Sequence, residues 1–275
     1  MSTAAADLDR GDRRRLLRTL LLVALAGVSL LGGLGYAVSS AVTSVGRPQT
    51  PTPVAAGQAA RQLPPGQARR DAIAAAPMLA ASPEAGRSGT PANSPAPAIT
   101  IPPAGKVGPA RIATGFPQTP EGAIGQLAAI ETTVLQSMSI AQARTVYRAW
   151  SVPDAPPVQS WELIANIQAF LGSGAGQYGD DLTVVVVAAP VAAQVKGLDG
   201  QDWVVACVLL DVKARIATAA RIAYGHCARM QWSTDNGGRW VIASGTAPAR
   251  APSTWPGTDL ASEAGWRPWA GATQE

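Results

Sequence analysis

Residues Thr19 to Ala41 read TLLLVALAGVSLLGGLGYAVSSA, a 23-residue run without a charged side chain. That length matches the roughly 20 apolar residues needed to cross a hydrocarbon core about 30 Å thick. Arg13, Arg14, Arg15 and Arg18 stand just before it, whereas only Arg47 stands close behind it. Basic flanks stay on the cytoplasmic side of a membrane. The pattern therefore predicts a cytoplasmic tail over 1–18, a transmembrane helix over 19–43, and export of everything beyond. A cleaved signal peptide is the alternative, with Ala37-Val38-Ser39 as a small-residue cleavage site, although signal cores usually span only about 7–15 residues. Within the run, Ser29, Gly33, Ala37 and Ala41 recur four apart and would line one helix face. Small residues on one face let two helices approach closely in lipid.

Residues 44–110 are rich in Pro, Ala, Gly, Ser and Thr, as in RPQTPTPVAAGQ and SPEAGRSGTPANSPAPAITIPPAGKVGP. So little bulky apolar surface predicts a disordered, partly polyproline linker. Asp71 to Ser82 is the stretch within it that reads as a transient helix or docking motif. A folded domain is expected over 111–269, and a frayed end over 270–275.

Periodicity orders that domain. Thr119-Pro120-Glu121 is a helix start: a hydroxyl cap, proline at the first helical position, and an acid in the first turn. Ile124, Leu127, Ala128, Val134 and Leu135 follow at helical spacing. Ser139 with Gln142 opens a second helix to Trp150, and a third spans about 160–171. Strand-like runs come next: LTVVVVA from Leu182, WVVACVLLDV from Trp203, IAYGHCARMQW from Ile222, and RWVIA after the turn signal Asp235-Asn236-Gly237-Gly238. Three helices followed by about four antiparallel strands predict an α+β fold with helices on one sheet face.

The two cysteines test this layout. If the two long strands pair so that residue numbers sum to 434, Cys207 lies opposite Cys227, Leu210 opposite Tyr224, and Val204 opposite Met230. The even-numbered face is then almost wholly apolar and should be the core. The odd-numbered face, with Arg221, Arg229 and Gln231, should be wetter. A one-residue slip would destroy both features. A Cys207–Cys227 disulfide is expected, worth roughly 3 kcal/mol in the chain-entropy model.

Charged residues make up 15% of the chain, against a usual figure of about 25%. The net charge of +4 owes much to the basic N-terminal tail, and no compact Lys/Arg stripe points to nucleic acid. One histidine and two cysteines are too few for a structural zinc, which takes four such ligands. Gly174 to Gly179 matches GxGxxG, but it follows a helix and precedes a strand, the reverse of a dinucleotide site. His226 falls on the core face opposite Val208 and reads as a hydrogen-bonded structural residue. Asp211 falls on the other face. Asp180, Asp181, Asp199 and Asp202 fall in turns and should be solvated. The eight tryptophans fall mostly at packing positions. No catalytic, metal or cofactor residue is assigned.

The stretches GFPQTPEGAIGQLAAIE, WVVACVLLDV and WPGTDLASEAGWRP resemble single-pass membrane proteins of actinomycete conjugative elements. The layout is similar to the bitopic assembly subunits of conjugation and type IV secretion channels. The resemblance implies an exported cystatin-like or nuclear-transport-factor-2-like cone that acts as a non-catalytic scaffold. Its implied partners are membrane lipid, other channel subunits and further copies of itself, without direct contact with nucleic acid. Two alternatives remain open at this point. One is a small-molecule-binding or enzymatic domain using a cavity between helices and sheet, and the other is a cell-envelope accessory protein. A cavity holding His226 with a carboxylate in hydrogen-bond reach would favour the first of these.

Overall fold

The computed structural model describes residues 53–172, 185–215 and 219–271. The anchor residues Ser29, Gly33, Ala37 and Ala41, the arginines Arg13, Arg14, Arg15 and Arg18, and the Gly174–Gly179 stretch lie outside them. Among the described residues no helix is long and apolar enough to cross a membrane.

Three helices stand where the spacing places them. The first, Pro120–Ser137, starts at Thr119, whose hydroxyl accepts from the Gly122 N–H at 3.0 Å. The second, Ile140–Trp150, starts at Ser139, whose hydroxyl accepts from the Gln142 N–H at 3.2 Å. The third is Glu162–Gly172. They are three of six α-helices among the described residues. Two more, Pro53–Gln62 and Gln67–Ala75, precede them, and Asp259–Glu263 follows. In chain order these are α1 (Pro53–Gln62), α2 (Gln67–Ala75), α3, α4, α5 and α6 (Asp259–Glu263).

The sheet is larger than the four strands expected. Its strands are β1 (Ile99–Ile101), β4 (Val185–Leu198), β5 (Trp203–Arg215), β6 (Ala219–Ser233), β7 (Arg239–Ile242) and β8 (Arg267–Gly271). They run in the order β1-β8-β4-β5-β6-β7 and curl into a half-barrel. β2 (Lys106–Val107) and β3 (Ala113–Thr114) form a separate small hairpin. β1 and β8 pair in parallel, so the sheet is mixed. The α+β arrangement of three helices on one face of a four-stranded antiparallel sheet is thus corrected to a mixed α/β fold. Neither added strand carries a readable signal. β1 has only three residues, between prolines, and β8 contains Pro268. A proline lacks the N–H a ladder needs and is tolerated at an edge or a bulge. Here β8 meets β4 through Ala192 and Ala193, beside the register shift between Pro190 and Ala192.

β5 and β6 pair in the expected register, with Cys207 opposite Cys227, Leu210 opposite Tyr224 and Val204 opposite Met230. Cys207 and Cys227 are disulfide-bonded. The even-numbered face is a core, as expected: Val204, Ala206, Val208 and Leu210 pack with Ile124, Leu127, Trp150 and Ile167 of the helices.

The odd-numbered face is not wet. Trp203, Val205, Cys207 and Leu209 are buried there in a second cluster with Ala60, Ile73, Ala74 and Trp266. The cover comes from the expected linker, which is the main correction to the layout. Residues Pro51–Glu275 form one compact unit. Asp199, expected in solvent, has a nearly buried side chain and holds the cover down. It accepts from the Gly66 N–H at 3.1 Å and from Arg70 Nε at 2.6 Å. Arg229 Nη1 donates to Asp71 Oδ1 at 2.7 Å, and Lys196 Nζ donates to the Ala74 carbonyl at 2.7 Å. Burial, aided by the Arg229 charge, pushes Lys196 down to about 8. Gly197 has to be small, because a Cβ there would lie 2.6 Å from Ile73 Cγ2. Low bulk in the cover is offset by bulk beneath it: alanines, Ile73 and the partly buried Met78 and Leu79 suffice against Trp203 and Leu209 of the sheet and Trp266 just before β8.

Candidate ligand cavity

A cavity of about 440 Å³ borders β6 over His226 to Arg229, so it touches residues of both faces of that strand. β6 contributes His226, Cys227, Ala228 and Arg229, the end of β7 contributes Ile242, and Ala243 follows it. Ser160 and Trp161 just before α5 and Glu162 at its start add to the lining, and the rim runs through Gly245, Thr246, Ala247 and Pro248. Tyr147 of α4 closes the remaining wall. Its hydroxyl donates to the Pro156 carbonyl at 2.7 Å, fixing the loop between α4 and α5. The Tyr147 and Trp161 rings meet at 5.0 Å with a 43° tilt.

The rim is secured from the opposite face. Arg229 Nε donates to the Thr246 carbonyl at 2.7 Å while its Nη1 holds Asp71. Gly245 has φ of 102°, and a Cβ there would lie 2.5 Å from Arg229 Nη1. The Ala249 N–H donates to the Ala74 carbonyl at 2.8 Å. The segment preceding the helices and the cavity rim therefore share fastenings.

One polar pair is buried at the wall. His226 Nδ1 and Glu131 Oε1 lie 2.5 Å apart and share a hydrogen bond, with side chains 6% and 0% exposed. Glu131 Oε2 has no hydrogen-bond partner among the described residues. Beside them Tyr224 OH accepts from Asn166 Nδ2 at 2.8 Å and donates to Glu162 Oε1 at 3.3 Å. The Tyr224 and His226 rings stack at 6.1 Å.

Burial pushes the Glu131 carboxyl up, opposed by the His226 charge and hydrogen bond. Burial alone would lower His226, but the Glu131 charge and hydrogen bond outweigh it and the imidazole is raised. Burial, reinforced by Glu162 and Glu131, holds the Tyr224 phenol well above its usual value, so it stays protonated.

Both members of the pair bind protons more tightly folded than unfolded. The Glu131 contribution is present below its unfolded value of 4.5 and is lost as pH rises towards its raised value. The His226 contribution is present below 6.5 and is lost as pH rises through its own raised value. Asp71 and Asp211 are lowered, chiefly by hydrogen bonds from Arg229 and Arg221, so their contributions fade only below about 3.8. Wild-type stability should therefore start to fall as pH rises past about 4.5 and go on falling above 6.5. In Glu131→Gln, burial dominates His226 and lowers it, so stability should instead rise as pH approaches 6.5 and then level off. Urea melts at several pH values check this, and parallel slopes for the two proteins would contradict it.

His226 lies opposite Val208 and is hydrogen-bonded, as the sequence predicts, but on a cavity wall. Asp211 lies on the other face, paired with Arg221 at 2.7 and 2.9 Å. Cys227 borders the cavity, and its sulfur lies 3.7 Å from Met78 Sδ. Trp150, Trp203, Trp240 and Trp266 are fully buried packing residues, whereas Trp161 is a cavity wall. Sequence reasoning missed Glu131. Its signal was readable: a lone carboxylate four residues after Leu127 and four before Leu135, inside the apolar stripe of α3. Among the described residues no group of three or more His, Cys, Asp or Glu side chains converges to hold a metal.

No family model, curated protein or solved structure matches this chain.

Proposed function

We propose that residues 53–271 form a binding domain for a small, largely apolar molecule, displayed outside a membrane by the anchor predicted at 19–43. The observation that carries this reading is the cavity of about 440 Å³ with His226 on its wall, held from behind by the buried Glu131. Ligand sites are concave, mostly apolar, and carry a few placed polar groups. Aromatic walls from Tyr147 and Trp161, aliphatic ones from Ile242 and Ala243, and one held imidazole fit that description.

The test uses the full chain and a neutral naphthalene ketone, 6-propionyl-2-dimethylaminonaphthalene, as probe. At about 100 times its Kd a ligand stabilises by about 2.7 kcal/mol, which should raise the melting temperature by about 5–10 °C for a domain this size. Ala247→Trp, a substitution at the exposed rim, should remove that shift. An equal shift in both proteins would place the ligand elsewhere.

A second reading is the assembly subunit of an envelope complex, acting through contacts with other subunits, with lipid or with itself. It is favoured by Val185 and Val187, each 46% exposed and adjacent on one face of β4. An apolar pair of that kind suits a subunit contact. Cross-linking in native membranes should then give species larger than the monomer, and monomer alone would count against it.

A further inference from the structure

We infer that the cavity takes a neutral molecule with an apolar body and one carbonyl-type acceptor, which the Nε2–H of His226 anchors. This rests on the binding reading above and names the ligand chemistry of the same site.

The buried pair leaves one ring atom open. Nδ1 is committed to Glu131 Oε1 at 2.5 Å, so Nε2 is the imidazole atom left for a ligand. The protonation of the pair decides what Nε2 can do. If a proton lies between Nδ1 and Oε1 and the pair is neutral overall, Nε2 carries a hydrogen whichever partner holds the shared proton. Imidazolium with carboxylate and imidazole with carboxylic acid both present a donor there. Only the pair with net negative charge leaves Nε2 bare.

The surroundings disfavour that negative state. Glu131 is fully buried, and its Oε2 has no hydrogen-bond partner among the described residues, so an unneutralised carboxylate would place charge on a bare buried oxygen. Burying an uncompensated charge is far costlier than burying a neutral group. Glu162, held next to Tyr224 beside the pair, adds a second negative charge nearby. The pair therefore offers a donor, not an acceptor.

The same surroundings select the ligand's charge. An anionic acceptor would meet Glu162 at the lining. Among the described residues Arg229 is the arginine at the lining, and it is already committed to Asp71 and the Thr246 carbonyl. At the lining itself a carboxylate or phosphate would thus meet Glu162 and no uncommitted arginine, with exposed Arg250 acting only from beside Tyr224, whereas a ketone, ester or amide oxygen needs only the single donor. Tyr147, Trp161 and Ile242 suit the apolar remainder.

The test compares two matched probes by equilibrium dialysis against the full chain. One is 6-propionyl-2-dimethylaminonaphthalene, and the other is 6-propyl-2-dimethylaminonaphthalene, which lacks the carbonyl. His226→Phe keeps a planar ring without the donor and should weaken the ketone at least about tenfold, while the propyl compound changes less than about twofold. His226→Gln restores a donor and should recover most of the ketone affinity. An equal loss of both probes in His226→Phe, or no loss of the ketone, overturns the anchoring role. If Ala247→Trp still abolishes binding in that case, the cavity reading survives it. Absence of saturable binding by either probe overturns both.

Discussion

Trp203→Ala should destabilise the domain by about 3–5 kcal/mol, the usual cost of deleting a buried tryptophan side chain. Trp203 is 1% exposed and lies on the odd-numbered face of β5. Arg70 and Arg229 stand over its ring, at 5.6 and 5.9 Å from the centroid. Its loss therefore leaves a cavity and also loosens the two arginines that fasten Asp199 and Asp71. Because Arg229 also holds the Thr246 carbonyl, the ligand rim should lose order with it. Urea denaturation measures the loss, and limited proteolysis reports the second effect through new cleavage between residues 53 and 98. A cost below about 1 kcal/mol, as for a surface site, would mean that this face is solvated and its cover detached.

Replacing both Cys207 and Cys227 by alanine should cost about 3 kcal/mol. The bond closes a loop of 20 residues between neighbouring central strands. Both side chains are buried on the odd-numbered face, so alanine in their place adds no unpaired polar group. Denaturation with and without reductant separates the causes. Reductant should cost the wild type a similar amount and leave the double variant unchanged. Equal stability of the wild type under both conditions would mean that the thiols are not joined.

Much of the central sheet was legible because pairing two long strands is a parity problem. One register joins the cysteines and sets apolar Leu210 and Val204 against Tyr224 and Met230, and that register is the one found. Caps were legible because Thr119 and Ser139 offer a hydroxyl to an N–H three residues on. What failed was an inference from composition. Arg221, Arg229 and Gln231 made the odd-numbered face look wet, yet Trp203, Val205 and Leu209 were on it as well. Arg229 is buried because Asp71, far away in the sequence, meets it. The stretch 53–98 looked unable to fold because alone it has too little apolar surface. It needs only to cover a surface that the sheet already provides. The site was half legible. His226 was placed on the correct face, but its meaning depends on Glu131, 95 residues earlier, and no local pattern joins the two.

The lone histidine makes the central claim directly measurable. Nitrogen-15 labelling of histidine in untagged full-length protein gives signals from His226 alone, since the chain contains no other. A pH titration of its Nδ1 and Nε2 shifts should show a strongly hydrogen-bonded Nδ1 proton and a midpoint above 6.5. Saturating ketone probe should shift Nε2 and spare Nδ1. A solvent-like histidine titrating at its ordinary value, with both nitrogens indifferent to the probe, would contradict the buried pair and the cavity built on it.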